Sequence, residues 1–364
     1  MEYNDILVLS LCFFGSLIGT YFVIPKIIGV AKYNHLMDNP NVRSSHTSLV
    51  PRLGGVSFYM SFIFGMYLLR SYNSGDITIA MIAGISVLFI IGLKDDLTIL
   101  TPKTKLIAQF ISSLLIMVNP DFQVQTLNNF LGIGDVSVYI TFPLAIFFML
   151  YLINSFNLID GIDGLASTIA IISFFSFGVL FFFVERYFYL GICLIGLGSL
   201  FSFLSYNLSK KENKIFMGDT GSMILGYIIA ILSMRILSYK MERLSYLPLD
   251  TKNLFLLVIA ILFVPLFDTG RIFLVRMLKG KSPFQADRNH IHHLLIDYYK
   301  ISHRRASFYI GGCNLIYIAL FYYLSTKYNY WVMSGVMLFT IGALFVFFQM
   351  IQTKRAQEVG ESQK

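Results

Sequence analysis

Eleven apolar runs, separated by short polar segments, constrain the fold of this chain more than any other feature. They lie near residues 6–28, 54–70, 77–93, 105–118, 139–153, 166–184, 188–205, 221–238, 254–273, 308–324 and 331–351. A helix needs about 20 apolar residues to cross a hydrocarbon core roughly 30 Å thick, and the fourth and fifth runs are the shortest of the set. The first run begins with acidic residues and has no small-residue cleavage site, so we expect a retained span.

Composition agrees with a membrane protein. Charged residues make up 13% of the chain, whereas a soluble domain has about a quarter. We therefore predict an all-α polytopic integral membrane protein with about 11 transmembrane helices. Residues 1–352 would form a single transmembrane catalytic domain, and residues 353–364 a disordered cytoplasmic tail. The three cysteines, Cys12, Cys193 and Cys313, all lie inside apolar runs, where neither a disulfide framework nor a zinc cluster is indicated.

The distribution of basic residues predicts the orientation. When the loops are assigned alternately to the two sides, 21 of the 28 Lys and Arg residues fall on one side and 7 on the other. By the positive-inside rule the first side is cytoplasmic, which places the N-terminus outside and the C-terminus inside. The net charge of +8 thus reflects cytoplasmic loops near anionic lipid, and no nucleic-acid partner is expected.

The segment 154–166, NSFNLIDGIDGLA, is the most unusual polar stretch. Asn154, Asn157 and Asp160 recur at steps of three, which places them on one face of a helix at the end of an apolar run. Asp163 follows within a second Asp-Gly pair. Polar groups at that depth are costly unless they face water or bind a ligand. A simple polar turn between two helices is the alternative, but such a turn needs only one Asp-Gly pair.

Four other polar clusters fall on the same predicted side. They are His46 with VPRLGG at 50–55, KDD at 94–96 followed by Lys103 and Lys105, FMGDTGS at 216–222, and DRNHIHH at 287–293 within the basic segment 271–305. Five successive loops with related chemistry on one side indicate a shared site at the cytoplasmic face.

The carboxylates of these loops suggest a divalent cation. They are Asp95, Asp96, Asp160, Asp163 and Asp219. Mg²⁺ takes one or two protein carboxylates together with water and phosphate oxygens, and without cysteine ligands Mg²⁺ fits best, with Mn²⁺ possible. Ion pairing of Asp95 or Asp96 with nearby lysines is the structural alternative.

The histidine segment suggests an anion clamp. Arg288, His290, His292 and His293 could hold a diphosphate through charged hydrogen bonds. Zinc binding and simple loop packing are the alternatives, and HxHH lacks the spacing of a three-ligand helical zinc site. The Gly-rich MGDTGS segment offers backbone N–H groups to an anion, and Phe216 could either anchor a helix end in lipid or stack on a base.

In this order, KDD, NxxNxxDGxDGLA, FMGDTGS and DRNHIHH, with HTSLVPRLGG upstream, resemble the polyprenyl-phosphate N-acetylhexosamine-1-phosphate transferase superfamily, of glycosyltransferase 4 type. The NHIHH form resembles the branch that initiates O-antigen, enterobacterial common antigen and wall teichoic acid. The three-His motif followed by Phe-Glu of the phospho-N-acetylmuramoyl-pentapeptide transferase branch is absent. Lys94, directly before the Asp pair, is a departure where an apolar or small residue would also fit.

The resemblance implies roles for individual residues. It implies that Asp219 binds Mg²⁺ and that Asn157 is a second metal ligand, as in some relatives. It places Asp95 and Asp96 near the lipid phosphate, one of them as a candidate base. Asp160, with those three aspartates, is expected to be catalytic.

The substrate-binding residues follow in the same way. The resemblance implies that Asp163 and Phe216 line a uridine pocket and that Lys105 contacts phosphate. It implies that His290, His292 and His293 hold the sugar diphosphate, and we expect Asn154 and Arg288 to contribute to substrate binding.

The reaction implied is transfer of GlcNAc-1-phosphate from UDP-GlcNAc to undecaprenyl phosphate, with release of UMP, as the first membrane step of a cell-envelope polysaccharide. Direct attack by the lipid phosphate is favoured over a covalent aspartyl-phosphate route. Another UDP-HexNAc, GalNAc or a 6-deoxy sugar, is the first alternative, and a transporter of a phosphorylated solute the second. The expected location is the bacterial inner membrane, in contact with membrane lipids, with a homodimer as a further possibility.

Overall fold

Helices make up most of the described residues in the computed structural model, which describes residues 3–37, 49–73, 75–209, 211–282 and 289–361. In chain order the helices are α1 (Tyr3–Tyr33), α2 (Gly55–Leu68), α3 (Gly75–Leu97), α4 (Pro102–Met117), α5 (Val138–Ile159), α6 (Leu165–Phe183), α7 (Tyr187–Asn207), α8 (Gly218–Leu237), α9 (Met241–Leu244), α10 (Leu254–Ile261), α11 (Phe263–Leu278), α12 (Ile291–Tyr299), α13 (His303–Lys327) and α14 (Tyr330–Glu361). Single 3₁₀ turns lie at Arg70–Tyr72, Pro120–Phe122, Lys211–Asn213 and Thr251–Asn253.

Each predicted apolar run corresponds to a helix or to a bent pair of helices. Eight helices of the described residues are long and apolar enough to span a membrane, and α10 with α11, bent by 68°, would make a ninth. This confirms the predicted helical, polytopic membrane architecture. Helices α2 and α4 have 14 and 16 residues, or about 21 and 24 Å at 1.5 Å per residue, less than the roughly 30 Å core. The number of spans and their orientation stay predictions.

Helix α8 lies at the centre of the bundle. In its apolar window 94% of the residues are buried, against 22% in α1 and 17% in α14. It is apolar on nearly every side, which is typical of a helix surrounded by other helices. Helices α2, α3 and α5 pack directly against it.

Glycines let the neighbouring helices approach the first turn of α8. A Cβ atom on Gly92 of α3 would lie 2.6 Å from the Cα atom of Thr220, and one on Gly55 of α2 would overlap the backbone of Gly221. Small residues allow such close backbone contact between membrane helices. The approach carries the polar end of α3 onto the beginning of α8.

The opposite end of the bundle carries a small β-hairpin that the all-α prediction did not include. Strands β1 (Thr126–Phe130) and β2 (Ile133–Asp135) pair antiparallel, with Thr126 opposite Asp135 and Phe130 opposite Ile133. The short strands give little periodic signal, and positive φ angles at Asn128, Asn129 and Leu131 bend the chain sharply.

Arg235 fixes this end to the bundle. Its guanidinium group lies 4.3 Å from the ring centroid of Tyr239 and 5.5 Å from that of Tyr189, and it donates to the carbonyl oxygen of Asp121.

Helix α14 continues to Glu361, beyond residue 352, where the sequence analysis placed the start of the tail. The apolar run stops before this helix does, and the domain boundary predicted after residue 352 stays a prediction.

Candidate active site

The polar ends of α3, α4 and α8 meet at a lysine held between two carboxylates. The Nζ atom of Lys105, in the first turn of α4, lies 2.7 Å from an Oδ2 atom of Asp95 and also contacts the carboxylate of Asp219. All three side chains are partly exposed. The carboxylates of Asp95 and Asp219 thus share the ammonium group of Lys105 at the surface of the bundle. A cation or a phosphate that binds here would change this balance of charge.

Asp96 has a different environment from its neighbour Asp95. It accepts hydrogen bonds from the backbone N–H of Asp219 at 2.7 Å, from that of Thr220 at 3.1 Å, and from the Thr220 hydroxyl at 2.5 Å. These backbone groups belong to the first turn of α8, where N–H groups have no partner within the helix. Asp96 therefore caps α8 from another helix, and the Asp pair divides into one side chain facing Lys105 and one serving as a helix cap.

Gly218 makes that cap possible. Its φ angle is +72°, which side chains rarely adopt, and a Cβ atom there would lie 2.7 Å from the carboxylate oxygens of Asp96. The glycine of the GDTGS segment is thus required by the geometry that brings Asp219 to the site.

The loop at 50–55 holds the approach to α8 through main-chain hydrogen bonds. The N–H groups of Gly54 and Gly55 donate to the carbonyl oxygens of Phe216 and Met217 at 2.9 Å each, and the N–H of Phe216 donates to Pro51 at 2.8 Å. The Phe216 ring remains partly exposed beside the site. His46 of the same predicted loop lies outside the described residues.

The two asparagines at the end of α5 face neighbouring helices. The amide of Asn157 donates to the Ser222 hydroxyl at 3.0 Å, and its side chain is within hydrogen-bonding reach of Asp219. Asn154 donates to the side chain of Gln109 at 2.7 Å and to the carbonyl oxygen of Leu150. Asn157 thus lies beside Asp219, and Asn154 is hydrogen-bonded to α4; the roles predicted for both in metal and substrate binding stay predictions.

Asp160 lies in the turn between α5 and α6, close to other acidic groups. Burial raises its pKa well above the ordinary value, and the charges of Asp219, Asp96 and Asp163 raise the pKa further, while Arg52 opposes them. A carboxyl group in such surroundings binds a proton or a cation readily.

Asp163 is paired with two basic side chains. Its carboxylate lies 2.5 Å from Nζ of Lys214 and 3.8 Å from Nδ1 of His303, and the Lys214 ammonium lies 5.2 Å from the centroid of the Phe216 ring. Burial acts to raise the pKa of Asp163, but hydrogen bonds and charges from His303 and Lys214 hold that pKa below its ordinary value. Asp163 and Phe216, predicted to share a pocket, are linked here by Lys214.

The histidine segment divides into different roles. Nδ1 of His290 lies 2.9 Å from Oδ2 of Asp268, on α11. His292 is 1% exposed, and its Nε2 lies against Gly161, so close that a methyl group there would overlap the ring. Burial lowers the pKa of His292 well below the ordinary value, and the neighbouring His293 lowers it further. The His292 ring thus packs α12 against the turn at Gly161, and its predicted contact with the sugar diphosphate stays a prediction.

His293 is partly exposed on α12 beside His292, with ring centroids 4.3 Å apart. Arg288 lies outside the described residues, so its predicted role stays a prediction.

Four side chains of this site were not predicted: Gln109, Lys214, Asp268 and His303. Lys214, which precedes α8, and His303, the first residue of α13, reach Asp163 from distant parts of the chain, and nothing in their local sequence marks them as site residues. Asp268 did carry a signal, because an acidic residue inside an apolar run is costly and indicates function.

The oxygen donors of this site suit Mg²⁺. Asp219 carries carboxylate oxygens, Asn157 within hydrogen-bonding reach of it carries an amide group, and Asp95 lies across Lys105 from Asp219. Within the described residues no group of three or more His, Cys, Asp and Glu side chains forms a complete metal site. Mg²⁺ usually completes its shell with water and substrate phosphate, so one or two protein ligands are sufficient.

Comparison with known proteins gives consistent matches. The family model described as Glycosyl transferase family 4 matches residues 78–237. A probable undecaprenyl-phosphate N-acetylglucosaminyl 1-phosphate transferase of Bacillus subtilis (strain 168) is 30% identical over 346 residues, covering 93% of this chain and 90% of that protein. The undecaprenyl-phosphate alpha-N-acetylglucosaminyl 1-phosphate transferase of Escherichia coli (strain K12) is 29% identical over 273 residues, or 73% and 71% of the two chains. A protein of the same name from Yersinia pestis is 26% identical over 264 residues, or 72% and 69%.

Proposed function

Because the chain belongs to glycosyl transferase family 4, we propose that it transfers GlcNAc-1-phosphate from UDP-GlcNAc to undecaprenyl phosphate and releases UMP. The relatives described above are named undecaprenyl-phosphate N-acetylglucosaminyl 1-phosphate transferases, and these names give the lipid acceptor and the transferred group. We place the reaction at the cytoplasmic face of the bacterial inner membrane, where the polar loops would meet a water-soluble donor and a lipid acceptor.

The observation that carries the proposal is the convergence on Lys105. A phosphoryl transfer needs positive charge beside the phosphorus atom that reacts and beside the leaving group. The Lys105 ammonium is held between Asp95 and Asp219, each on a different helix. A lysine fixed by two carboxylates, next to oxygen donors for a divalent cation, is the expected arrangement for binding a diphosphate.

The chemistry requires no strong base. The phosphate monoester of the lipid is largely a dianion near neutral pH, since its second pKa is about 6. Its oxygen attacks the β-phosphorus of the donor. One P–O bond forms to the lipid phosphate, the P–O bond to UMP breaks, and UMP carries the electron pair away.

The protein residues would act on charge and position. Asp219 and Asn157 would hold Mg²⁺, which neutralises diphosphate oxygens when bound. Lys105 stabilises negative charge on the transferred phosphoryl group, and Asp95 orients Lys105. Asp96 acts indirectly, by holding the first turn of α8 and thereby Asp219.

The uridine end of the donor is assigned to the side chains around Phe216. The Phe216 ring is partly exposed and can stack on a base. Asp163 and Lys214 beside it supply one acceptor and one donor for polar atoms of uridine. Binding of the nucleotide sugar would then replace the ion pair between Asp163 and Lys214 by contacts of both side chains to the nucleotide.

The test is a transfer assay with purified protein in lipid nanodiscs. Undecaprenyl phosphate and Mg²⁺ are incubated with radiolabelled UDP-GlcNAc, UDP-GalNAc or a UDP-6-deoxy-HexNAc, and the labelled lipid is identified by mass. We expect labelled undecaprenyl-diphospho-GlcNAc and UMP in equal amounts, and loss of both with EDTA. Labelling from UDP-GalNAc alone would keep the reaction and change the sugar, whereas no labelled lipid from any donor would refute the proposal.

A further inference from the structure

Asp268 is a buried carboxylate that the proposed reaction leaves without a role. It lies in α11, just after the bend from α10, and its side chain is 2% exposed. A carboxylate inside an apolar helix is costly unless its oxygens are bound by donors.

Two contacts of the Asp268 carboxylate connect α11 to the start of α12. Oδ2 lies 2.9 Å from Nδ1 of His290, and Oδ1 accepts the backbone N–H of Ile291 at 3.0 Å. Arg271, one turn along α11, lies 3.4 Å from Oδ1 and donates to the carbonyl oxygen of Asn289. Three consecutive residues, 289 to 291, are thus fixed by two side chains of one helix.

These contacts determine which nitrogen of His290 can meet a ligand. A carboxylate accepts only, so Nδ1 of His290 carries the proton in this bond. Nδ1 is therefore occupied, and Nε2 is the ring nitrogen that remains for a substrate oxygen. Asp268 thus sets both the position and the hydrogen-bonding pattern of the His290 ring.

A purely structural tether would need no such groups. Buried ion pairs contribute little net stability compared with well-packed apolar side chains, because both charges must lose their water. Here Asp268 and Arg271 contact the imidazole of His290 and the start of α12. These contacts indicate that the two residues control the orientation of His290.

We propose that Asp268 is a positioning residue, which holds His290 through Nδ1 and so presents Nε2 to the diphosphate of the nucleotide sugar. This inference rests on the proposed function for the identity of the ligand. Arg271 assists by fixing the preceding carbonyl group.

The test is a double-mutant cycle with Asp268→Asn, His290→Ala and the combined variant. Asparagine keeps the volume and can still accept the Ile291 N–H through its oxygen. Its NH₂ group then faces Nδ1 of His290 and forces the opposite tautomer. We expect kcat/KM for UDP-GlcNAc to fall about 10- to 100-fold in Asp268→Asn, as expected when a catalytic group is misplaced. The combined variant should be no worse than His290→Ala within about twofold.

The matched control is Asp297→Asn. Asp297 lies on the same short helix α12 but pairs with Arg355 of α14 at 2.7 Å. It receives the same chemical change, but its ion pair leads to α14 and not to Asp268 or His290. Near wild-type turnover is therefore expected. Melting temperatures of all variants identify loss of folding. Asp268→Glu, which keeps the carboxylate, provides a second cycle if Asp268→Asn does not fold.

Several results would overturn the inference. Losses that multiply in the combined variant would show that Asp268 acts independently of His290. Wild-type kinetics in Asp268→Asn would show no role, and an equal loss in Asp297→Asn would indicate general docking of α12.

A wild-type protein that labels no lipid would refute the proposed function instead. In that case, amide hydrogen exchange of residues 289–296 in Asp268→Ala measures whether Asp268 holds the start of α12 in place. Exchange faster than in Asp297→Asn is expected, and unchanged exchange would refute the positioning.

Discussion

Asp219 of α8 contacts Lys105 of α4 and is within hydrogen-bonding reach of Asn157 of α5. We predict that Asp219→Asn lowers turnover at least 100-fold while the protein stays folded. An amide keeps the shape of the carboxylate but loses the charge that would hold Mg²⁺.

Turnover with Mg²⁺ or Mn²⁺ in nanodiscs measures this, and Asp135→Asn, an exposed carboxylate on β2, serves as the control. Substantial Mg²⁺-dependent turnover by Asp219→Asn would contradict the assignment.

Substitution of the adjacent residues Asp95 and Asp96 is expected to affect different properties, turnover for Asp95 and stability for Asp96. Asp96→Asn cannot accept from all the donors of the α8 first turn, and loss of a helix cap costs about 1–2 kcal/mol of stability. Asp95→Asn leaves that cap intact but loses the ion pair with Lys105, so turnover should fall with little change in melting temperature. Thermal melts and kinetics of both variants separate the two roles, and equal melting temperatures would contradict the capping role of Asp96.

Buried His292 gives a pH-dependent contribution to stability. Its pKa in the folded protein is lowered by burial first and then by His293, while Asp268 opposes and His290 and His303 add to the lowering. In the unfolded chain the pKa of a histidine is about 6.5. Below that pH the unfolded state binds a proton that the folded state does not, so stability is lost as pH falls, by up to about 1.4 kcal/mol per pH unit.

We therefore expect the melting temperature to drop between pH 7 and pH 5, and the drop to be smaller in His292→Gln. A glutamine is polar and similar in length but does not titrate in this range. An identical pH dependence in both proteins would show that His292 is not responsible.

At the scale of elements, the contact between His292 and Gly161 joins α12 to the turn before α6. A Cβ atom on residue 161 would overlap the imidazole. We predict that Gly161→Ala lowers the melting temperature and reduces turnover about 10-fold or more, because α12 and His290 would shift outward. Gly134→Ala is a suitable control, since a Cβ there meets only the Asn129 side chain at 3.4 Å.

Combining Gly161→Ala with His292→Ala removes the overlap. Partial recovery of the melting temperature relative to Gly161→Ala is expected, and a further fall would mean that the two residues are not in steric conflict.

The sequence predicted where the helices lie, but it did not predict most of the side-chain pairs that connect them. The apolar runs correspond to the helices because membrane burial requires long apolar helices, whatever the tertiary contacts. The convergence of Asp95, Asn157 and Asp219 also followed from their places at helix ends. Which member of the Asp pair caps α8 depended on Gly92 and Gly218, whose close contacts with another helix leave no periodic signal. The pairing of Asp163 with Lys214 and His303 depended on loops that meet only in the folded chain.

A site shared by the five polar loops requires all of them to lie on one side of the membrane. We predict that reporter fusions at residues 45, 100, 212 and 290 report the cytoplasm, and fusions at 74, 128 and 246 the outside. The basic loops predict this orientation by the positive-inside rule.

The contacts of Lys105 with Asp219 and of Asp163 with Lys214 require positions 100 and 212 to be on one side. The side of each fusion site is measured with two reporter proteins, one active only in the cytoplasm and the other active only outside. A fusion at 212 reporting the outside would contradict both the orientation and the shared site.

The burial of α8 has a consequence for the physiology of the membrane. Changes in growth temperature or lipid supply alter bilayer thickness, and helices in contact with lipid respond by tilting. Helices α1 and α14, which are mostly exposed, would absorb such changes, whereas α8 is enclosed along almost its whole length. The helix that carries Asp219 in its first turn would thus be shielded from hydrophobic mismatch, and changes in the surrounding lipid would reach Asp219 only through the helices packed around it.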